Sequence, residues 1–325
     1  MKAAYIKTIG APDVIIVDQL PLPSLSSNQV LVEVAAVAVD PIDTYIRSGA
    51  YKIDLPFPFI IGRDMVGAVR DVGSSVQSYK RGDRVWCNNQ GYAGRQGTFA
   101  ETIAVDEELL YPLGDSTDPI NLVAAAHSAL TAVVGLVTKA RLKEGETLFI
   151  NGGSGNVGRC ATQLAKRIGA KVAVTAGSAE KSQWCRADGA DLVIDYKNED
   201  VEQALKKFAS DGVDVYWDLT RQPDLQKAID CTARRGRIVI SSGLAHTSQM
   251  KIGSFYTHNL SMLGFTITDL SKEELAEHAA ILNPYFQQNV FRPRIAKTLT
   301  LEEAAEAHRL VENGIDGKVV VRVRG

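Results

Sequence analysis

The chain has 325 residues, 45% of them hydrophobic and 23% charged, with a formal net charge of −2. That balance suits a globular protein large enough for two domains. No long block of Lys and Arg stands out, so nucleic acid is not an expected partner.

No apolar run reads as long enough to cross a bilayer, and no membrane partner is expected. The N-terminus, "MKAAYIKTIGAPDVIIVDQ", lacks a signal-peptide core and a small-residue cleavage site, so a cytoplasmic location is expected. Cys87, Cys160, Cys185 and Cys231 are scattered, with no Cys-x-x-Cys pair. Buried free thiols are the expectation, not a zinc ribbon or a dithiol motif.

The first third reads as β-rich. "QVLVEVAAVAV" (Gln29 to Val39) alternates in part and is rich in Val, and "MVGAVRDVG" and "RGDRVWC" are shorter β-like runs broken by glycine turns. From Leu122 the rhythm changes. A helical stretch, "NLVAAAHSALTAVVGLVTKA", precedes six strand candidates: "TLFIN", "KVAVTA", "DLVID", "VDVYWD", "GRIVISS" and "LSMLGFTI". The segments between the first five carry helical patterns at 156–168, 179–187, 199–209 and 223–231. Strands alternating with helices predict a parallel sheet with right-handed crossovers, doubly wound as in dinucleotide-binding folds. "SKEE" at Ser271 and "TLEE" at Thr300 match the capping box at helix starts. The last strand, "GKVVVRV" (Gly317 to Val323), stands apart from the alternating block and is a candidate to rejoin the first domain. His127, in an apolar helical run, is read as structural.

The chemistry centres on the joint "NGGSGNVG", between the first strand of the alternating block and its helix. Gly153, Gly155 and Gly158 spell G-x-G-x-x-G, extended by Gly152, with Ser154, Asn156 and Val157 between them. After a strand and before a helix, this pattern points to a dinucleotide. The first glycine permits a tight turn, the second lets backbone approach a pyrophosphate, and the third lets helix and strand pack closely. The helix N-terminus offers free N–H groups to the phosphates. An NAD site usually ends its second strand in Asp or Glu, about 20 residues on. Here that strand ends "VTAGSAEK", with Ala176, Gly177 and Ser178 and no carboxylate. Ser178 can donate to a 2′-phosphate, Lys181 can reach it as a point charge, and Tyr196 can close the pocket. NADPH is the expected cofactor. Glu180 is the contrary residue, expected to point to solvent.

Taken together, "DPIDTYIRSGAY" (Asp40 to Tyr51), "GRDMVGAVRDVGSSVQSYKRGDRV", the glycine joint, "VTAGSAEK" and "LEEAAEAHRLVENGIDGKVVV" resemble the quinone oxidoreductase family. This is the zeta-crystallin-like branch of the medium-chain dehydrogenases/reductases, and the resemblance runs nearly end to end. It implies an α/β architecture in which a Rossmann NADPH domain (122–288) is inserted in a GroES-like, mainly β substrate domain (1–121 and 289–325). It also implies a homodimer that pairs Rossmann edge strands, with "LSMLGFTI" as the matching strand.

The same resemblance implies a zinc-free site. Zinc-dependent relatives use a Cys after the early strand and a His in Gly-His-Glu; here the strand reads "VAAVAVD", the motif reads Gly62-Arg63-Asp64, and the four-cysteine lobe is missing. No metal is therefore expected. The implied reaction is hydride transfer from NADPH to a quinone. An enone, alkenal or enoyl-thioester reductase is the alternative, and a non-catalytic crystallin-like or RNA-binding protein is the third reading. Tyr45 and Tyr51 match tyrosines near the family's substrate, as cleft-shaping residues or proton donors. Asp43 matches the family's acidic residue, with a helix-start role equally open. Asp40 stands where the family often has Asn beside the nicotinamide ribose, which puts that contact in question. Thr131, Ser242 and Gly243 are expected at the cofactor, as are Phe265 and Thr266, whose backbone meets the carboxamide. Asn156 replaces a common glycine and is expected to tolerate an unusual backbone angle.

Overall fold

The computed structural model describes residues 1–324. They form two units, Met1–His127 with 268–324, and Ser128–Ile267.

The first stretch of chain contributes β1 (Lys2–Ile6), β2 (Ile16–Gln19), β3 (Gln29–Val39), α1 (Pro41–Ser48), β4 (Phe59–Ile60), β5 (Asp64–Val72), β6 (Arg84–Cys87), β7 (Thr102–Asp106), β8 (Tyr111–Pro112) and α2 (Pro119–Val133). The middle contributes β9 (Thr147–Asn151), α3 (Asn156–Ile168), β10 (Lys171–Ala176), α4 (Ala179–Ala187), β11 (Leu192–Asp195), α5 (Val201–Phe208), β12 (Val213–Asp218), α6 (Leu225–Cys231), β13 (Thr232–Ile240), α7 (Ile252–Thr257) and β14 (Ser261–Gly264). The last stretch adds α8 (Lys272–Gln287), β15 (Ile295–Thr300), α9 (Ala304–Glu312) and β16 (Lys318–Arg322).

In the first unit, a seven-stranded sheet runs β15-β16-β3-β5-β6-β8, with β7 also on β3, and a second sheet runs β2-β1-β4. β3 pairs with β5, β7 and β16. A strand so surrounded is nearly all buried, which explains why its Val-rich sequence alternates only in part. β16 returns from the C-terminal end of the chain to pair antiparallel with β3, as its isolated position suggested.

The middle unit is a parallel six-stranded sheet in the order β11-β10-β9-β12-β13-β14. Counted from β9, that is 3-2-1-4-5-6, the doubly wound order. Phe149 and Tyr216 meet edge-on at 4.9 Å in its core, among Ala173, Ile194, Leu205 and Ile238. Burying these apolar faces against α5 and α6 holds the sheet, at about 25 cal/mol per Å² of apolar surface covered.

Two expectations need correction, and one local feature was not foreseen. The return to the first unit comes before residue 289: α8 packs on β8, and Trp86 Nε1 donates to Asn283 at 2.9 Å while its ring meets Phe286 edge-on. The 122–288 span therefore overruns, because helical periodicity does not reveal which sheet a helix covers. Second, the 21-residue helix Pro119–Lys139 is long and apolar enough to cross a membrane. Its most apolar window is 78% buried within the protein, which marks a core helix. Third, that helix turns π-helical over Val134–Lys139, where Gly135 lies against Trp217: a Cβ there would stand 2.4 Å from the indole. All four cysteines are buried and none is in a disulfide, as expected.

Candidate functional site

The glycine joint leaves the C-terminal end of β9 and opens α3, whose N-cap is Gly155. Gly152 takes the turn, with φ +94, a left-handed angle that favours glycine. Gly153 has the packing role: a Cβ there would lie 2.4 Å from Val174 Cβ on β10. Gly158 faces the Gly152 oxygen and Gly153 Cα, where a Cβ would meet them at 2.5 and 2.7 Å. Gly155 is exposed, and the nearest atom to a Cβ there is the Gly152 oxygen, 3.5 Å away. The turn thus belongs to Gly152 and not to Gly153, and Gly155 is where backbone is open to an approaching phosphate. Asn156 is simply the first residue of α3 and adopts no unusual angle. Ser154 and Val157 are partly buried in the same loop. The result is a helix N-terminus with small residues in front of it, an anion cradle.

A polar network that the sequence reading missed fixes this loop. Gly152 N–H donates to Thr175 Oγ1 at 2.7 Å, and Thr175 Oγ1 donates to Asn151 Oδ1 at 3.0 Å. Asn151 Nδ2 donates to Asp218 Oδ2 at 3.1 Å, and Asp218 Oδ1 accepts from Thr220 N and Oγ1 at 2.9 and 2.7 Å. The ends of β9, β10 and β12 are thereby tied across the sheet edge where doubly wound folds bind ligands. The available signal was a polar residue at the end of each of three apolar strands.

At the end of β10, Gly177 faces Tyr196, whose Oη would be 2.6 Å from a Cβ at that position. Tyr196 is 55% exposed, and its N–H donates to Ala176 O at 3.3 Å. Ser178 is the N-cap of α4, its Oγ accepting from Lys181 N–H at 3.2 Å, so its own proton remains to be donated outward. Lys181 is on the first turn of α4 and Glu180 beside it is exposed, as expected. The carboxylate opposite, Asp195 at the end of β11, accepts from Asn198 Nδ2 and Lys197 N–H at 2.8 and 3.1 Å, and those hydrogen bonds hold it below the usual carboxylate range. Gly177, Ser178, Lys181 and Tyr196 are thus brought together.

Of the other expected cofactor residues, Ser242 departs. Its hydroxyl lies 2.7 Å from Thr220 O and 3.2 Å from Asp218 O, so it ties two loops together rather than presenting its proton to a ligand. Gly243 has φ +82 and lies against Pro223. Phe265 and Thr266 follow β14, with Phe265 tilted on Trp217 at 6.1 Å. Thr131 is buried on α2.

The first unit holds a buried ionic cluster made by three neighbouring strands and two helices. Asp40 caps α1 and Asp43 lies in its first turn, Arg63 precedes β5 and Asp64 opens it, His127 comes from α2 and Lys318 opens β16. Asp40, Asp43, Arg63, Asp64 and Lys318 are each at most 3% exposed. Lys318 Nζ donates to Asp40 Oδ1 in an ion pair. Burial raises the Asp40 pKa, but Lys318, His127 and Arg63 outweigh that and hold it below the usual range. Burial and the Asp40 charge push Asp43 up to about 7 and Asp64 well above a normal carboxylate. Burial pushes His127 down to about 4, so the imidazole is neutral at pH 7.

This geometry corrects two site expectations. Asp40 is sealed in an ion pair and not presented to a ribose. Asp43 Oδ2 accepts from Asp40 N–H at 2.7 Å and the residue is buried, so of its two readings the helix-start role holds and the catalytic one does not. Tyr45 and Tyr51 are half-buried around the end of that helix, where Tyr51 N–H donates to Tyr45 O at 3.0 Å. Tyr51 lies within electrostatic range of Arg63, and so does Tyr92, whose Oη donates to Asp269 at 2.7 Å. Trp86 and Cys87 are fully buried.

The chain matches two family models, an alcohol dehydrogenase GroES-like domain over residues 26–115 and a zinc-binding dehydrogenase over 156–283. It is 30% identical to a quinone oxidoreductase of Mus musculus, over 97% of this chain and 95% of that one. It is 31% identical to an NADPH-dependent alkenal/one oxidoreductase of Arabidopsis thaliana, over 99% of this chain and 79% of the relative. Among solved structures, an Escherichia coli quinone oxidoreductase complexed with NADPH superimposes with a TM-score of 0.85 at 26% identity, over 99% of this chain and 100% of that one.

Proposed function

The chain belongs to the quinone oxidoreductase family, a zinc-free branch of the pyridine-nucleotide-dependent medium-chain dehydrogenases/reductases, and on that premise we propose that it reduces a quinone with NADPH. The observation that carries the cofactor choice is the end of β10: Ser178 and Lys181 stand there with Tyr196, and the strand ends in Ala176, without a carboxylate of its own. A 2′-phosphate would accept from the Ser178 hydroxyl and be neutralised by Lys181. The pyrophosphate would lie on the exposed backbone at Gly155, facing the N–H groups that open α3.

Bound NADPH supplies a hydride. The protein's own tasks are to orient, to exclude water and to place a proton donor. A hydride and one proton together convert a quinone into a hydroquinone, so the developing phenolate oxygen needs a donor. Tyr45 and Tyr51 are half-buried hydroxyl carriers suited to that role. A quinone is already electrophilic, which makes a Lewis acid unnecessary.

The second reading, reduction of an enone carbon–carbon double bond, is supported by the alkenal/one oxidoreductase among the relatives. NADPH consumption by the purified protein, measured with an ortho-quinone and with a simple enone, separates the two. Turnover with the quinone supports the proposal. A saturated product from the enone, with the quinone inert, overturns it in favour of the second reading.

A homodimer through β14 belongs to the same proposal. β14 is the edge strand of its sheet, and Leu244, Ile252 and Tyr256 in the preceding loop and helix are exposed. Light scattering tests it: a monomeric mass at micromolar concentration would overturn it.

A further inference from the structure

We propose that Asp40, Asp64 and His127 form a latent divalent-cation site that the Lys318 ammonium holds closed. The matched family model is named for zinc, which raises the question of whether these residues fit one. One carboxylate oxygen from each of Asp40 and Asp64 and one imidazole nitrogen of His127 lie within 4.8 Å of one another. That is a set of two hard oxygen donors and one imidazole, suited to a first-row divalent cation. Asp64 is 0% exposed, and neither of its carboxylate oxygens has a hydrogen-bond partner among the described residues; the same holds for Asp40 Oδ2.

The strand order explains why a cation is already there. β16, β3 and β5 are neighbours, with Val319 opposite Val39 and Ala38 opposite Asp64. Lys318, Asp40 and Asp64 therefore meet at one end of three adjacent strands. The ammonium pairs with Asp40 Oδ1, and Asp64 and Asp43 also stabilise its charge. The Arg63 guanidinium, 1% exposed, interacts with the same three carboxyl groups. A divalent ion entering this space would face two buried cations at short range, where repulsion is weakly screened. The site as built does not fit zinc, and no step of the reaction is routed through one. Lys318 serves as the resident cation instead. Replacing it with a neutral side chain leaves Asp40 without its ion-pair partner and the three carboxyl groups with Arg63 alone, and a divalent ion would supply the missing charge.

Cobalt(II) is the probe, because its visible spectrum reports inner-sphere ligands. The variants are Lys318→Met, the charge-conserving Lys318→Arg, and the double variant Lys318→Met with Asp64→Asn. The full-length wild type and Lys318→Arg should retain no cobalt after dialysis. Lys318→Met should retain about one ion per chain, with a ligand-field band and a raised melting temperature that the double variant lacks. Stoichiometric cobalt in the wild type, or none in a folded Lys318→Met, overturns the proposal. If Lys318→Met does not fold alone, refolding with cobalt decides. Recovery with cobalt and not with magnesium supports the site, and failure with both counts against it.

Discussion

Gly153 lies against Val174 with no room for a side chain, since a Cβ at Gly153 would stand 2.4 Å from Val174 Cβ. Two residues on, Gly155 has no neighbour to a Cβ closer than 3.5 Å. The two glycines therefore separate folding from binding. Gly153→Ala should destabilise by about 1–3 kcal/mol through overpacking. Gly155→Ala should leave stability within about 0.5 kcal/mol yet weaken NADPH binding roughly tenfold, because the new methyl would stand where the proposed pyrophosphate site lies. Urea unfolding and cofactor titration check both. Unaltered NADPH affinity in Gly155→Ala would remove the pyrophosphate from this loop.

At the next strand, Ser178 serves the helix and the proposed phosphate together. Ser178→Ala loses the N-cap of α4, a cost of about 1 kcal/mol, and also the hydroxyl donor. Ser178→Asp keeps an N-cap acceptor but places a carboxylate beside the 2′-position. It should retain stability and move preference from NADPH towards NADH. Lys181→Ala should raise KM for NADPH roughly tenfold or more, the size expected of a charge-assisted hydrogen bond, with NADH kinetics unchanged. Equal effects on both cofactors would argue for a structural role.

The raised pKa of Asp43 has a stability consequence. Its folded value, about 7, lies above the 3.8 of an unperturbed aspartate, so the folded state binds the extra proton between those two pH values. Its contribution to stability is present below the lower value and falls as pH rises through the window, then stays low. Asp43→Asn keeps an oxygen to accept from Asp40 N–H and removes the titration. Relative to wild type, Asp43→Asn should gain stability between pH 5 and pH 7.5, by on the order of 1 kcal/mol or more. Denaturant unfolding at the two pH values is the check. A parallel change in both proteins would mean that Asp43 does not titrate there.

Arg159 clamps Asp188 through Nε and Nη2 at 2.5 and 2.9 Å, and Asp188 is 5% exposed. Gln163 Nε2 also donates to that carboxylate, at 2.5 Å. Arg159→Ala leaves a buried carboxylate without its cation and should cost about 3 kcal/mol. Arg159→Lys, with a point charge in place of the fork, should fall between. The midpoint of urea unfolding measures both. Arg159→Ala within error of wild type would show that Gln163 suffices.

How far the sequence carried depends on range. The alternating strands and helices of the middle unit were legible because each is set within a few residues. The spans 156–168 and 179–187 coincide with α3 and α4. So were the capping boxes at Ser271 and Thr300, and the absence of a carboxylate at the end of β10. The role of each glycine was not legible. Which one turns and which one packs depends on Val174 across the loop, and only the folded pairing of β9 with β10 brings it there.

The tertiary structure alone decided the ionic cluster. Lys318 and Asp40 are 278 positions apart and become partners because β16 crosses back beside β3. Asp40, expected beside the ribose, and Asp43, read as catalytic or as a helix-start residue, are both buried in that cluster. Helix α8 joins the first unit for a comparable reason, since an amphipathic pattern states that a helix has a buried face but not what covers it. What the sequence by itself determined is the doubly wound unit, its nucleotide joint and the family. Chain crossings between residues hundreds of positions apart decided where the charges lie, because a side chain's environment is set by its neighbours in space.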